Sequence, residues 1–248
     1  MEPQLKPVPI DNTQPPWRQP MPGVGSGSTV VTAEDQAKVL RNTYWLLALS
    51  MLPTIAGALI GMSINFGAMY KTSPIMAPLL MFGAMIGMLF VVSALRNSGW
   101  GVVAIFGFTF VSGLMLAPML QFAAQVRNGG HLVALAGGMT AAVFFVMATI
   151  ATVSKRDFSF LGKFLFTGLI LLIIASIANL FLHIPALAVT VSAVAVLIFS
   201  AYLLHDVSSI VRGGQTNYIM ATLALFLDIL NIFINILNLL LIFSGQRD

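Results

Sequence analysis

Apolar residues run along this chain in blocks of about 20, and polar or turn residues punctuate them at short intervals. A helix needs about 20 apolar residues to cross the ~30 Å hydrocarbon layer of a bilayer. Runs of that length fall near 43–65, 75–95, 101–125, 132–153, 160–182, 184–205 and 218–243. They are separated at Lys71, at Arg96-Asn97-Ser98, at Arg127-Asn128-Gly129-Gly130, at Ser154-Lys155-Arg156-Asp157, at His183 with Pro185, and at Arg212-Gly213-Gly214-Gln215. The pattern predicts an all-α membrane protein, a bundle of seven transmembrane helices. The connection at His183 is short enough that a single kinked helix is the alternative there.

Composition agrees with the pattern. Of 248 residues, 58% are apolar and 8% charged, against roughly 25% charged in soluble domains. There is no cysteine, which removes disulfides and thiolate metal sites. Residues 1–36 differ from the rest. They are rich in Pro, Gly and Ser and hold few apolar residues, so they read as a disordered tail ahead of a membrane domain over 37–248. The tail lacks the basic-then-apolar layout of a cleavable signal peptide, so the first apolar segment is expected to stay as an anchor. Trp17 and Arg18 within it are expected to do nothing specific.

The net charge of +4 is informative through its placement. Lys38, Arg41, Arg96, Lys155, Arg156, Lys163 and Arg212 flank the spans on the N-terminal side, whereas Lys71, Arg127 and Arg247 lie on the other. Basic loops stay in the cytoplasm, so the N-terminus and its tail are expected inside and the C-terminus in the periplasm. Long apolar helices leave no basic face for nucleic acid. GALIG at 57–61 and GAMIG at 83–87 are small-xxx-small patterns, read here as helix packing rather than a dimer seam. An odd number of spans argues against an inverted-repeat transporter.

The last span holds the candidate chemistry. At 100° per residue, Asp228, Asn231, Asn235 and Asn238 fall at about 0°, −60°, −20° and −80°. Ala224, Ala221 and Asn217 continue the same face backwards. A stripe of small and polar side chains about 31 Å long cannot face lipid, so the last helix is expected to be central in the bundle. The asparagines read first as hydrogen-bonding glue between helices. Asp228 differs, because a carboxylate at mid-depth costs about 2.5–3.5 kcal/mol and such residues mark ion or proton pathways.

No Lys or Arg lies inside a span to pair with it, Lys163 standing at the start of the fifth. The other nearby carboxylate is Asp206, at the end of the sixth span and across a tight loop. Two carboxyls meeting in a low dielectric tend to share one proton, forming a clasp that responds to pH. With carboxamide oxygens nearby they also offer the hard ligands that suit Ca²⁺. His205 points about 100° away from Asp206 on the helix and reads as an interfacial histidine.

YLLHDVSSIVRGGQTNYIMATLALFLDILNIF, residues 202–233, resembles the C-terminal signature of the Bax inhibitor-1 family of seven-helix membrane proteins. There an Asp after a Tyr-containing sixth helix pairs with the Asp of an L-[FY]-L-D-x-x-N-x-F motif. FTFVSGLMLAP at 108–118 and FSFLGKFLFTGL at 158–169 resemble the family's third and fifth helices. RNTYWLLALS at 41–50 and GGQTNYIMAT at 213–222 look most like its bacterial YccA branch. The resemblance covers about residues 38–243 and implies an inner-membrane protein with two activities. Members with the paired aspartates are pH-sensitive Ca²⁺ leaks, which would make Asp206 and Asp228 the gate and Asn217, Asn231, Asn235 and Asn238 the polar stripe beside it. Members of the YccA branch restrain the membrane protease FtsH. The chain departs from some leak-type members in having no arginine in its second helix.

Neither reading is enzymatic. Intramembrane aspartyl proteases need a GxGD loop at the second aspartate, where this chain has the helical run ALFL. A retinal protein needs a lysine in the seventh helix, and HExxH and GxSxG are also missing.

Overall fold

The computed structural model describes residues 33–64, 66, 76–154 and 156–245, with the backbone alone for Ala77 and Pro78. The expectations for residues 1–32, and the positions of Lys71, Lys155 and Arg247, lie outside the described residues. Among these residues every regular element is a helix: α1 (Ala33–Met62), α2 (Met76–Leu95), α3 (Trp100–Gln125), α4 (Gly129–Val153), α5 (Leu161–Leu182), α6 (Pro185–Val211) and α7 (Tyr218–Gly245). All but α2 are long and apolar enough to cross a membrane, while α2 carries a shorter apolar stretch, Leu79–Leu95.

Two helices outrun the apolar runs that announced them. α1 begins at Ala33, ten residues before its span, so Ala33–Gln36 belong to the helix and not to the tail. Its first turn holds Glu34, which pairs with Lys38 one turn later at 3.1 Å, the spacing that supports an exposed helix end. α6 continues past 205 to Val211 and so carries both His205 and Asp206 inside its last turns.

The short connection at His183 is a true break. His183 takes a left-handed conformation (φ 52°), Ile184 is extended, and Pro185 opens α6 at a position where its missing N–H costs nothing. Asn179 satisfies the exposed backbone here, its Oδ1 accepting from the Ile184 N–H at 3.0 Å. The kinked-helix alternative is thereby set aside.

In lipid the packing between helices comes from close fit rather than from expulsion of water. α1 and α3 pack most intimately, with Gly57 against the Phe110 carbonyl and Gly113 against the Thr54 carbonyl, leaving no room for a Cβ at either glycine. The GALIG pattern is thus used inside the bundle. The glycines of GAMIG, Gly83 and Gly87, face open space on α2. At the far end of α1, Gln121 Nε2 donates to the Ile64 and Met62 carbonyls (2.7 and 3.2 Å), satisfying groups the helix leaves orphaned.

α7 packs against α1, α2, α3, α4 and α6. None of its residues from Tyr218 to Ile242 is exposed. Phe226 meets Phe108 of α3 edge-to-face with ring centroids 5.9 Å apart, a contact worth about 0.5–1.5 kcal/mol beyond its area.

The start of α1 and three connections gather at one end of the bundle. Asn217 Nδ2 donates to the Arg96 carbonyl and to Asn97 Oδ1, each at 2.9 Å, joining the α6–α7 and α2–α3 connections. Arg212 donates to the carbonyl of Arg156 in the α4–α5 connection. Gly213 lies against the Gln36 side chain of α1. Lys38, Arg41, Arg96, Arg156, Lys163 and Arg212 therefore share one end.

Candidate functional site

Asp228 sits nearly three turns into α7, flanked by Leu227, Ile229 and Leu230. Long apolar side chains favour the helix and pack it tightly, which leaves the one carboxyl no water. Asp228 is 5% exposed, and its Oδ2 is fully buried with no hydrogen-bond partner. Buried polar atoms are almost always paired, so such an orphan calls for a chemical reason.

Asp206 reaches toward the same region from α6. Its charge acts on Asp228, and both carboxyls act on the half-buried Tyr202 hydroxyl one turn earlier on α6. No hydrogen bond joins the two aspartates. Asp206 Oδ1 instead accepts from His205 Nδ1 at 2.8 Å, with both side chains about one-fifth exposed. The pair is therefore close enough to couple electrostatically, but the clasp anticipated from sequence is open here, with one carboxyl held by a histidine.

The contact of His205 with Asp206 is the one that spacing hid. Adjacent residues on a helix point about 100° apart, which argues against contact, yet the imidazole turns back onto its neighbour. Gly162 at the start of α5 gives it room, since a Cβ there would come within 3.2 Å of Nε2. A second missed feature is Ser208, whose buried hydroxyl, half a turn beyond Asp206, also lacks a partner.

The asparagines do different work from one another. Asn217 precedes α7 and caps it, its Oδ1 accepting from the N–H groups of Ile219 and Met220 (3.0 and 3.1 Å). With its amide spent on Arg96 and Asn97 it is a fastener of loops, not part of a stripe along the helix. Asn231 and Asn235 donate to carbonyls one turn back on their own helix, at 2.8 Å each. Asn238 bridges to α6 by donating to Ser192 Oγ at 2.8 Å, the glue role expected of all of them.

Around Asp228 the remaining neighbours are electrically silent. α2 and α3 contain no ionisable side chain among Asp, Glu, Lys, Arg and His. α4 holds only His131, in its first turn, and α1 only Glu34, Asp35, Lys38 and Arg41, in its first nine residues. Among the described residues no group of three or more His, Cys, Asp and Glu is placed to hold a metal. Two aspartates fall short of the six to eight oxygens a resident Ca²⁺ takes. Outside the membrane, Asp157 in the α4–α5 connection accepts from the Ser159 hydroxyl and N–H (2.7 and 2.9 Å), which holds its carboxyl below the usual range.

Residues 36–245 match the family model described as inhibitor of apoptosis-promoting Bax1. An uncharacterized membrane protein of Vibrio cholerae serotype O1 is 40% identical over 209 residues, covering 84% of this chain and 91% of that one. The modulator of FtsH protease YccA from Escherichia coli strain K12 is 36% identical over 203 residues, 82% of this chain and 89% of its own. The inner membrane protein YccA of Escherichia coli O6:H1 matches to the same extent. With the match running across nearly the whole helical domain, the chain belongs to the Bax inhibitor-1 family of membrane proteins.

Proposed function

We propose that this chain is a non-catalytic, proton-responsive cation leak of the bacterial inner membrane, gated where α6 meets α7 by Asp206 and Asp228, with Ca²⁺ as the permeant ion. The observation that carries the reading is the buried, unpartnered Oδ2 of Asp228 within reach of a second carboxylate. A proton shared by the pair removes the repulsion between like charges and draws α6 onto α7. Its loss leaves two carboxylates in a low dielectric, and separating the helices is the cheapest relief. With His205 competing for Asp206, the histidine's own protonation adjusts how tightly that carboxyl is held. Ca²⁺ would pass rather than reside, since the donor set is too small for a stable site.

The proposal takes the bundle as seven spans with α7 central, supported by the packing of α7 against five other helices and by its lack of exposed residues. The end that gathers Arg41, Arg96, Arg156 and Arg212 would face the cytoplasm, which puts the N-terminus inside and the C-terminus in the periplasm. The test is Ca²⁺ flux into proteoliposomes at several pH values. Flux that changes with pH, and loses that change in Asp228→Asn, supports the gate; an unchanged pH response in the variant removes it.

A second reading, a restrainer of the membrane protease FtsH, is supported by the relative named as a modulator of that protease. Deleting residues 1–36 and following turnover of a membrane substrate of the protease tests it. Unchanged turnover, with no protease co-purifying with the full chain, would exclude this reading.

A further inference from the structure

α1 and α4 both pack against α7 and α3 but share no broad interface with each other. They meet at Tyr44 and Phe144, whose rings lie edge-to-face with centroids 6.0 Å apart. Between the two helices lies a crevice of about 1210 Å³ that reaches inward to Phe226, Ile229 and Leu230 of α7. Its wall is largely hydrocarbon. The four threonines that line it, Thr54, Thr140, Thr149 and Thr152, each donate to a carbonyl of their own helix at 2.7–2.8 Å, so their hydroxyl protons are spent within the wall.

The mouth of the crevice has different chemistry. At Tyr44 it borders a hollow formed by Ala37, Leu40, Arg41 and Trp45. Arg41 falls on the same face of α1 as the crevice-lining Ala48, Ile55 and Leu59, at about 20°, 40° and 0° from them. It is exposed, and its guanidinium has no ion pair among the described residues, whereas nearby Lys38 is engaged by Glu34. An aromatic pair beneath a free guanidinium is the layout of a membrane–water boundary, and a guanidinium matches the paired oxygens of a phosphate.

We propose that this crevice binds an anionic phospholipid, with its phosphate on Arg41 and an acyl chain laid between α1 and α4. Charge complementarity at the mouth and the apolar wall select this occupant. The acyl chain lies against the residues that flank Asp228, so its presence or exchange bears on how α7 packs. The site stands independently of the gate proposed above.

Native mass spectrometry of the full-length protein, delipidated in detergent and offered phosphatidylglycerol or phosphatidylcholine at equal concentration, tests the assignment. The expected result is a phosphatidylglycerol adduct favoured about fivefold, the ratio one basic group gives at an anionic surface. Arg41→Gln, at an exposed position, should bring that ratio to about one, and Ala141→Trp on the crevice wall should weaken both adducts. Equal binding of the two lipids by the unaltered protein, or a preference that survives Arg41→Gln, would overturn the proposal. So would loss of a bound protein or second copy in Ala141→Trp with the lipid adducts intact. If Ala141→Trp does not fold, the Arg41→Gln ratio still decides.

Discussion

Asp206 and Asp228 stand on neighbouring helices within reach of each other's charge, yet Asp206 is bonded to His205 at 2.8 Å while Asp228 Oδ2 is bonded to nothing. The asymmetry places the two carboxyls in different environments. One faces a histidine at the edge of the bundle, and the other is sealed in its interior.

Under the proposed gate, the bond from His205 to Asp206 makes the histidine a modulator. His205→Ala should lower stability by about 1 kcal/mol through the lost hydrogen bond and shift the pH midpoint of ion flux without abolishing it. Thermal unfolding and flux titration on the same preparation measure the two effects. A midpoint identical to that of the unaltered protein would show that the imidazole does not act on the gate.

Asn217 is assigned to the helix cap and not to the gate. Asn217→Ala should therefore cost about 0.5–2 kcal/mol through the lost cap, more if the bonds to Arg96 and Asn97 are not replaced by water. The pH response of the surviving folded protein should be unchanged. Chemical denaturation and flux together check this.

The two glycine patterns should behave oppositely. Gly57→Val places a side chain against the Phe110 carbonyl, where overpacking costs at least 1–3 kcal/mol, and should greatly reduce the yield of folded protein. Gly83→Val meets nothing within 4 Å and should shift the melting temperature little, as surface substitutions do. Size-exclusion profiles of the two variants in detergent separate them.

Asp157 supplies a pH-dependent element outside the membrane. Ser159 holds its carboxyl below the usual range, so its contribution to stability is present above the ordinary carboxylate range and lost as pH falls through the lowered value. Asp157→Asn should therefore melt below the unaltered protein at pH 7, and the two should converge in strong acid. A gap that persists to low pH would point to some other cause.

The apolar runs revealed the helical class and most of the helix ends, because lipid demands unbroken apolar stretches. They missed what hydropathy does not measure. The first ten residues of α1 are a polar continuation of a helix, held by local pairs such as Glu34–Lys38, and the last six of α6 run on past the polar His205-Asp206 step with Val207, Ser208 and Ile210 buried. The polar phase of α7 correctly singled out Asp228 as buried, since an odd carboxylate in an apolar helix has few places to go. The same phase misassigned Asn217, which shares the angle but precedes the first turn, where side chains bond to free N–H groups. His205 was hidden because periodicity reports where a side chain leaves the helix and not where a long ring can return.

The coupling of the two aspartates is the claim on which the gate rests, and a double-mutant cycle on pH-dependent Ca²⁺ flux tests it most directly. Asp206→Asn, Asp228→Asn and the double variant are compared with the unaltered protein in vesicles of one composition. The account predicts that each single variant removes most of the pH response and that the double variant loses little more. Single effects that simply add, or a pH response intact in either variant, would contradict it.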